Sequence, residues 1–312
     1  MTRHIRAGIA SAAAFIAAAT FAPVQGLQAQ IVHYSVSTSY SAGSYIFSGN
    51  TWSAAMFHGL TVQTGRFTLS ASVPIVAQNN TALSYIGGVI VPTGGPDNAA
   101  VAERQKGQPV QMGKGSGSGS GQGGMQALGA LAVAPADTLT VAEPGGTAVH
   151  VGDPFFSAGV ELYHGTGTLR SMSVQGFAKA PMASVASGVS TGQWDYGGGA
   201  SLSLGAGRTF FFGDASYWVL GDMPTLQLLD NVVYGAGIGQ TSEDGKWSVL
   251  GSVSGSSAVI RNVTPPASLG VSVGYLQSES QSITIGAHFG LTESAPQFGL
   301  SLGWRVRLSN AP

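Results

Sequence analysis

The chain has 312 residues, a formal net charge of −1 and no cysteine, so it has no field to attract nucleic acid, no disulfide framework and no lipid-modifiable N-terminal cysteine. Charged residues make up 9% of it and glycine accounts for 47 positions, against ~25% charged and about half that glycine in ordinary soluble domains. A water-facing surface with so few charges would be poorly soluble, whereas a wall of Ser, Thr and Gly backed by a lipid-facing apolar surface would not need them.

Met1 to Ala29 reads as a targeting segment. Arg3, His4 and Arg6 make a basic start, Ala7 to Ala22 is an apolar run, and Gln28-Ala29-Gln30 offers a small residue for cleavage. The apolar run is shorter than the ~20 residues a spanning helix needs, and no later stretch is longer. The expected mature chain begins near Gln30, is exported and, if it enters a membrane, does so as strands.

From His33 onward the chain alternates. Tyr34, Val36, Thr38 and Tyr40 oppose Ser35, Ser37, Ser39 and Ser41. A Gly/Ser loop leads to a strand at Trp52 to Gln63, a tight turn at Thr64-Gly65, and a third strand from Arg66 to Ile75. Two alternating runs joined by about two residues are the strongest local hairpin signal. The regularity stops over Val76 to Gly152. Thr81 to Pro92 retains some strand character, but Gly115 to Gly121 is flexible linker composition, and this insertion is expected to be a long, partly disordered extracellular loop at the surface.

Alternation resumes at Phe155 to Tyr163 and runs to Leu308 in nine segments. The last shows the rule: Phe298, Leu300, Leu302, Trp304, Val306 and Leu308 oppose Gly299, Ser301, Gly303, Arg305 and Arg307. Successive side chains of a strand point to opposite faces, so each segment has one oily and one wet face. The total is twelve strands. Every odd connection, beginning at Ala42, Val76, Ala180, Leu220, Ser256 and Thr292, is longer than the even ones around Gly65, Gly165, Gly207, Asp244 and Glu279. An even strand number with loops sorted by length onto two ends is the pattern of an all-β, antiparallel transmembrane β-barrel with both termini in the periplasm. A sandwich gives no such sorting. Trp52, Trp194, Trp218, Trp247 and Trp304 sit near strand ends, as an interfacial girdle requires, though strand-end core aromatics would look the same.

Several runs, Val151-Gly-Asp-Pro-Phe-Phe156, Gly176-Phe-Ala-Lys-Ala-Pro181, Ser190-Thr-Gly-Gln-Trp-Asp-Tyr-Gly197, Asp214-Ala-Ser-Tyr-Trp218 and Glu293-Ser-Ala-Pro-Gln-Phe298, carry a resemblance. Over residues 33–75 and 150–308 the chain resembles the outer-membrane β-barrel transporter family labelled "MetA-pathway of phenol degradation". The resemblance implies an outer-membrane location and passage of small organic molecules, and supplies no site residues. The chain departs from it in the Gly/Ser-rich insertion and in ending Leu308-Ser-Asn-Ala-Pro312 where many such barrels present a terminal aromatic. The second departure bears on insertion efficiency rather than topology.

The wet face carries Glu161, Gln175, Lys179, Asp195, Asp214, His288, Arg305 and Arg307, the candidate lumen-lining residues. Charges at membrane depth are costly unless they face a cavity or one another, so they either set the selectivity of a pore or pair and fill it. A barrel-embedded lipid hydrolase needs a serine within reach of an oriented histidine. His164 and His288 are the positions to test, but the one Gly-x-Ser-x-Gly match lies in linker at Gly115 to Gly119.

The expectation is therefore a porin-like bacterial outer-membrane barrel over 30–312, without catalytic site, cofactor or metal. It would act as a passive channel or transporter for small, apolar or aromatic molecules. A structural or surface-interaction barrel with a filled lumen is the alternative. Expected partners are outer-membrane lipid, the barrel-assembly machinery during biogenesis and a small-molecule solute.

Overall fold

A computed structural model describes residues 30–107, 139 and 146–308. The expected targeting segment, Met1 to Ala29, and the expected linker, Gly115 to Gly121, lie outside them. Fifteen strands occur among these residues. Twelve form the barrel: β1 (Gln30–Gly43), β2 (Thr51–Thr64), β3 (Phe67–Gln78), β7 (Phe155–His164), β8 (Leu169–Lys179), β9 (Asp195–Ala206), β10 (Thr209–Val219), β11 (Asn231–Thr241), β12 (Trp247–Ser256), β13 (Ala267–Ser278), β14 (Gln281–Gly290) and β15 (Phe298–Arg307). Every neighbour is antiparallel, and β1 pairs with β15, so the sheet closes on itself and has no lateral edge in the ring.

The hairpins at the short end follow from local chemistry. Gly65-Arg66 and Gly207-Arg208 are two-residue turns in which only the glycine has positive φ, at 56° and 60°. That is the φ signature of a type II′ turn, which matches the twist of the flanking strands and which a side chain at the first position would strain.

Register then decides which way each residue points. Lys179 pairs with Asp195, Gly197 with Trp218, and Trp218 with Asn231, and all of these face the interior. Their flanking residues point out. Ile238, Val249, Val271, Ile285 and Leu302 are each about half exposed, Ile285 at 58%, although they are the apolar halves of their strands. A sandwich would bury these side chains between sheets; here they cover the outside of a closed ring.

Glycine on the inner face is matched to rings on the next strand. Phe212 lies over Gly237 and Phe210 over Gly239, both across the β10–β11 ladder. A Cβ on Gly237 would also stand 2.7 Å from the Gly251 carbonyl oxygen, which belongs to the backbone and cannot rotate away.

The long-loop end differs from the sequence expectation. The first part of the insertion is not a surface loop. It forms a hairpin of two short strands, β4 (Ser84–Ile86) and β5 (Val89–Val91), then a 3-10 turn and a short helix, α1 (Ala99–Gln105). Leu83, Ile86 and Val101 are buried against Ile46 and Phe47 of the first loop, Leu226 and Leu228 of the 220–230 loop, and Val259 and Ile260 of the 257–266 loop. Several loops thus form one apolar plug across the mouth. Flanking it, β6 (Ala148–Val151) extends the wall by pairing with the end of β3 at Ile75–Gln78, beyond the stretch Phe67–Ser72 that pairs with β7. The insertion proper therefore begins after Gln78, and the extent of its disorder lies outside the described residues.

Gly237→Ala should destabilise the barrel by roughly 1–3 kcal/mol through overpacking. The check is the temperature at which the compact form is lost in a heat-modifiability gel, which should fall relative to wild type.

Candidate functional site

The interior has three zones, set by what each strand contributes at its level. At the long-loop end lies a buried charge network. Lys179, at the end of β8, is fully buried, with its Nζ 3.0 Å from Asp195 on β9 and 3.3 Å from Asp153 in the bend between β6 and β7. It also donates to Thr191 Oγ1 at 3.2 Å. Asp153 accepts from the backbone N–H groups of Met182 and Ala183 and from Ser190 Oγ. Asp195 accepts from Gly221 N–H at 3.1 Å and from Gly87 N–H at the tip of the β4–β5 hairpin. One lysine thereby ties together two wall strands, the bend before β7, the 180–194 loop and the plug. The pairing offsets a desolvation cost that either charge alone could not bear.

Trp218 sits beside this network and corrects the girdle reading. Trp52, Trp194, Trp247 and Trp304 do point outward, Trp52 stacked with Tyr40 and Trp194 with Tyr196 at ring separations of 6.2 and 5.7 Å. Trp218 points inward and is 4% exposed, stacked on Phe177 at 5.1 Å and edge-on to Phe155 at 5.9 Å. Gly197 opposite leaves room for the indole, since a Cβ there would come within 2.7 Å of it. The hairpin tip closes over the ring at Gly87, whose φ of +50° and 3.3 Å Cβ distance from Trp218 leave no place for a side chain.

The middle zone is a cavity of about 450 Å³ under the hairpin, within the usual range for small-ligand sites. Phe57, Phe155, Phe177, Tyr85, Val89 and Ile90 supply its apolar surface, and Ser39, Ser70, Ser72 and Ser157 its hydroxyls. Two of these serines already pair, Ser70 with Ser157 at 2.6 Å, and Tyr85 bonds Ser53 at 2.9 Å. The sequence reading gathered none of the aromatic residues here into a site. The parity of their strands was the available signal, because Phe57, Phe155 and Phe177 fall on the serine faces.

The third zone is the short-turn end, where His33, Arg305 and Arg307 share the inner wall of β1 and β15. The candidate lumen-lining residues are therefore not one cluster. By register all eight lie on the inward face: Lys179 and Asp195 in the network, Gln175 opposite Gly199, Asp214 opposite Gly235, His288 over Gly299, Glu161 opposite Ser173, and Arg305 and Arg307 near the rim. Glu161 bonds His164 Nδ1 at 3.0 Å. Among the described residues, neither His164 nor His288 is hydrogen-bonded to a serine hydroxyl.

Burial raises the pKa of Tyr45 in the plug, and of Tyr85 in the hairpin, where the hydrogen bond with Ser53 partly opposes it. A raised phenol pKa favours the protonated, folded form. The resulting stabilisation is complete below the ordinary phenol pKa of ~10 and is lost as pH rises through the folded values.

No family model matches the chain, the label suggested by its motifs included, and no curated protein matches it. Among solved structures it is similar to the KdgM porin in complex with disordered oligogalacturonate, at 7% identity and a TM-score of 0.43, over 90% of this chain and 99% of that one. It is also similar to the NanC porin, at 8% and 0.48 over 88% and 100%, and to the CymD monoaromatic hydrocarbon channel, at 10% and 0.38 over 90% of each.

Lys179→Met leaves two buried carboxylates unpaired and should cost on the order of 3–5 kcal/mol, and it should loosen the plug before the wall. Limited proteolysis should then cut the 79–107 segment while the heat-modifiable barrel band persists.

Proposed function

We propose that this protein is an outer-membrane barrel that admits small aromatic or apolar molecules through a plugged lumen. The observation that carries the reading is the 450 Å³ cavity inside the ring, walled by phenyl rings and serine hydroxyls beneath a hairpin. Phenyl faces bury an apolar ring, and a few hydroxyls orient one polar substituent. Supporting the location, the apolar halves of the strands form a continuous exposed band, far beyond the few hundred Å² of apolar patch a soluble monomer tolerates. Strands closed into a ring satisfy their backbone groups without water, which a lipid setting demands. The plug makes the resting state closed, so passage requires the β4–β5 hairpin to leave Trp218.

The same plug favours a second reading, a structural barrel with a filled mouth. Planar-bilayer recording separates the two. Deleting residues 84–91 should raise the current well above that of the wild-type protein if the lumen conducts. A bilayer that stays sealed at every voltage with both proteins would leave the structural reading. Membrane fractionation should place the protein with the outer membrane.

Ser72→Phe fills the cavity from the β3 wall. It should weaken binding of benzyl alcohol to the detergent-solubilised protein about tenfold, or about 1.4 kcal/mol. Equilibrium dialysis checks this, with an unchanged heat-modifiable band as the folding control.

A further inference from the structure

At the short-turn end of the lumen, two buried nitrogen atoms have no hydrogen-bond partner among the described residues: Nε of Arg307 and Nδ1 of His33. Their side chains are direct partners in the β1–β15 register. Arg305, two residues further along the same face, stands opposite Ser35 on one side and Ser282 on the other. Two guanidinium groups and an imidazole therefore share one patch of a wall otherwise made of serine, threonine and glycine.

No acid neutralises the patch among the described residues. The ion pairs there are Arg104 with Glu293, His164 with Glu161, Lys179 with its two aspartates, and Arg208 with Glu243. The other inward acids, Glu161 and Asp214, belong to β7 and β10, and Glu161 is already bonded to His164. A guanidinium stays charged at any accessible pH and has donors only, and this wall offers it neutral hydroxyls but no carboxylate. Its planar fork fits a carboxylate through two parallel hydrogen bonds. Ser35, beside Arg305, and Ser39, which lines the cavity, lie on the same face of β1, about 13 Å apart at ~3.3 Å per residue. A small solute leaving the cavity toward the short-turn end would meet the basic patch next.

We propose that His33, Arg305 and Arg307 form a binding station for the carboxylate of a small organic anion, so that the solute class is aromatic acids rather than neutral aromatics. The proposal rests on the cavity reading above and adds a second, electrostatic station to it.

Benzoate and benzyl alcohol, which differ in the charged group, serve as probes for equilibrium dialysis against the full-length protein in detergent at neutral pH. The wild-type protein should bind benzoate about tenfold more tightly than benzyl alcohol, and Arg305→Gln with Arg307→Gln should bring that ratio close to one, as loss of a charged hydrogen-bonding pair predicts. Lys246→Gln, in the exposed β11–β12 turn, should leave the ratio unchanged. Heat-modifiable migration of each variant confirms a closed barrel. Equal wild-type affinity for the two probes, or a ratio unaltered in the double variant, overturns the anion station while the cavity reading stands. Inorganic phosphate competing as strongly as benzoate itself overturns the assignment to an organic acid. If neither probe binds, the cavity reading fails and this proposal fails with it.

Discussion

Closure of a twelve-stranded antiparallel ring imposes one constraint from which the rest follows: each residue of a wall strand faces either inward or outward, and the register of its neighbours settles which. A shift of one residue in any strand would carry Ile285 or Leu302 inward and Arg305 or Lys179 outward. Neither exchange is tolerable where the outside is oily and the inside polar, so the pairing is strongly specified along the whole wall. The hairpins at one end hold that pairing locally, while the longer connections at the other end are free to do something else.

What they do is form the plug. Its interior is an ordinary apolar core, made from loops far apart in the chain, and it is attached to the wall through the Lys179 network, the Tyr85–Ser53 hydrogen bond and the packing of Gly87 on Trp218. Lys179, Asp153 and Asp195 come from three separate runs; alternation places Lys179 and Asp195 on the wet face, whereas Asp153 stands out only within its motif. The structure gives those runs a common purpose. Asp153, Lys179, Ser190, Thr191 and Asp195 converge in one network, Trp218 packs beside it, and Glu293 accepts from Arg104 of the short helix. Such a set concentrates at one end of the barrel because that is where irregular backbone meets regular wall, and orphaned polar groups there need partners.

The wall was legible in the sequence because a period of two leaves a strong signal in strands of ten or more residues, and because loop length sorted cleanly. The plug was not. β4 and β5 have three residues each, too few to show alternation, and the burial of Leu83 and Ile86 depends on loops more than a hundred residues away. Trp218 was misplaced for a different reason. Its position near a strand end suggested an interfacial girdle, whereas its parity with Asp214 and Ser216 already put it inside. The inward orientation of Arg305 and Arg307 could be read from alternation, but their meeting with His33 required knowing that the last strand pairs with the first.

The matching of rings to glycines on β10 and β11 has a geometric consequence for the inner wall. Phe210 and Phe212 lie across Gly239 and Gly237, so the two-strand arc of β10 and β11 is padded on its inner side by flat side chains. Each of these glycines is the seat of a ring, so a side chain at either position would have to displace a phenyl group rather than merely narrow the interior.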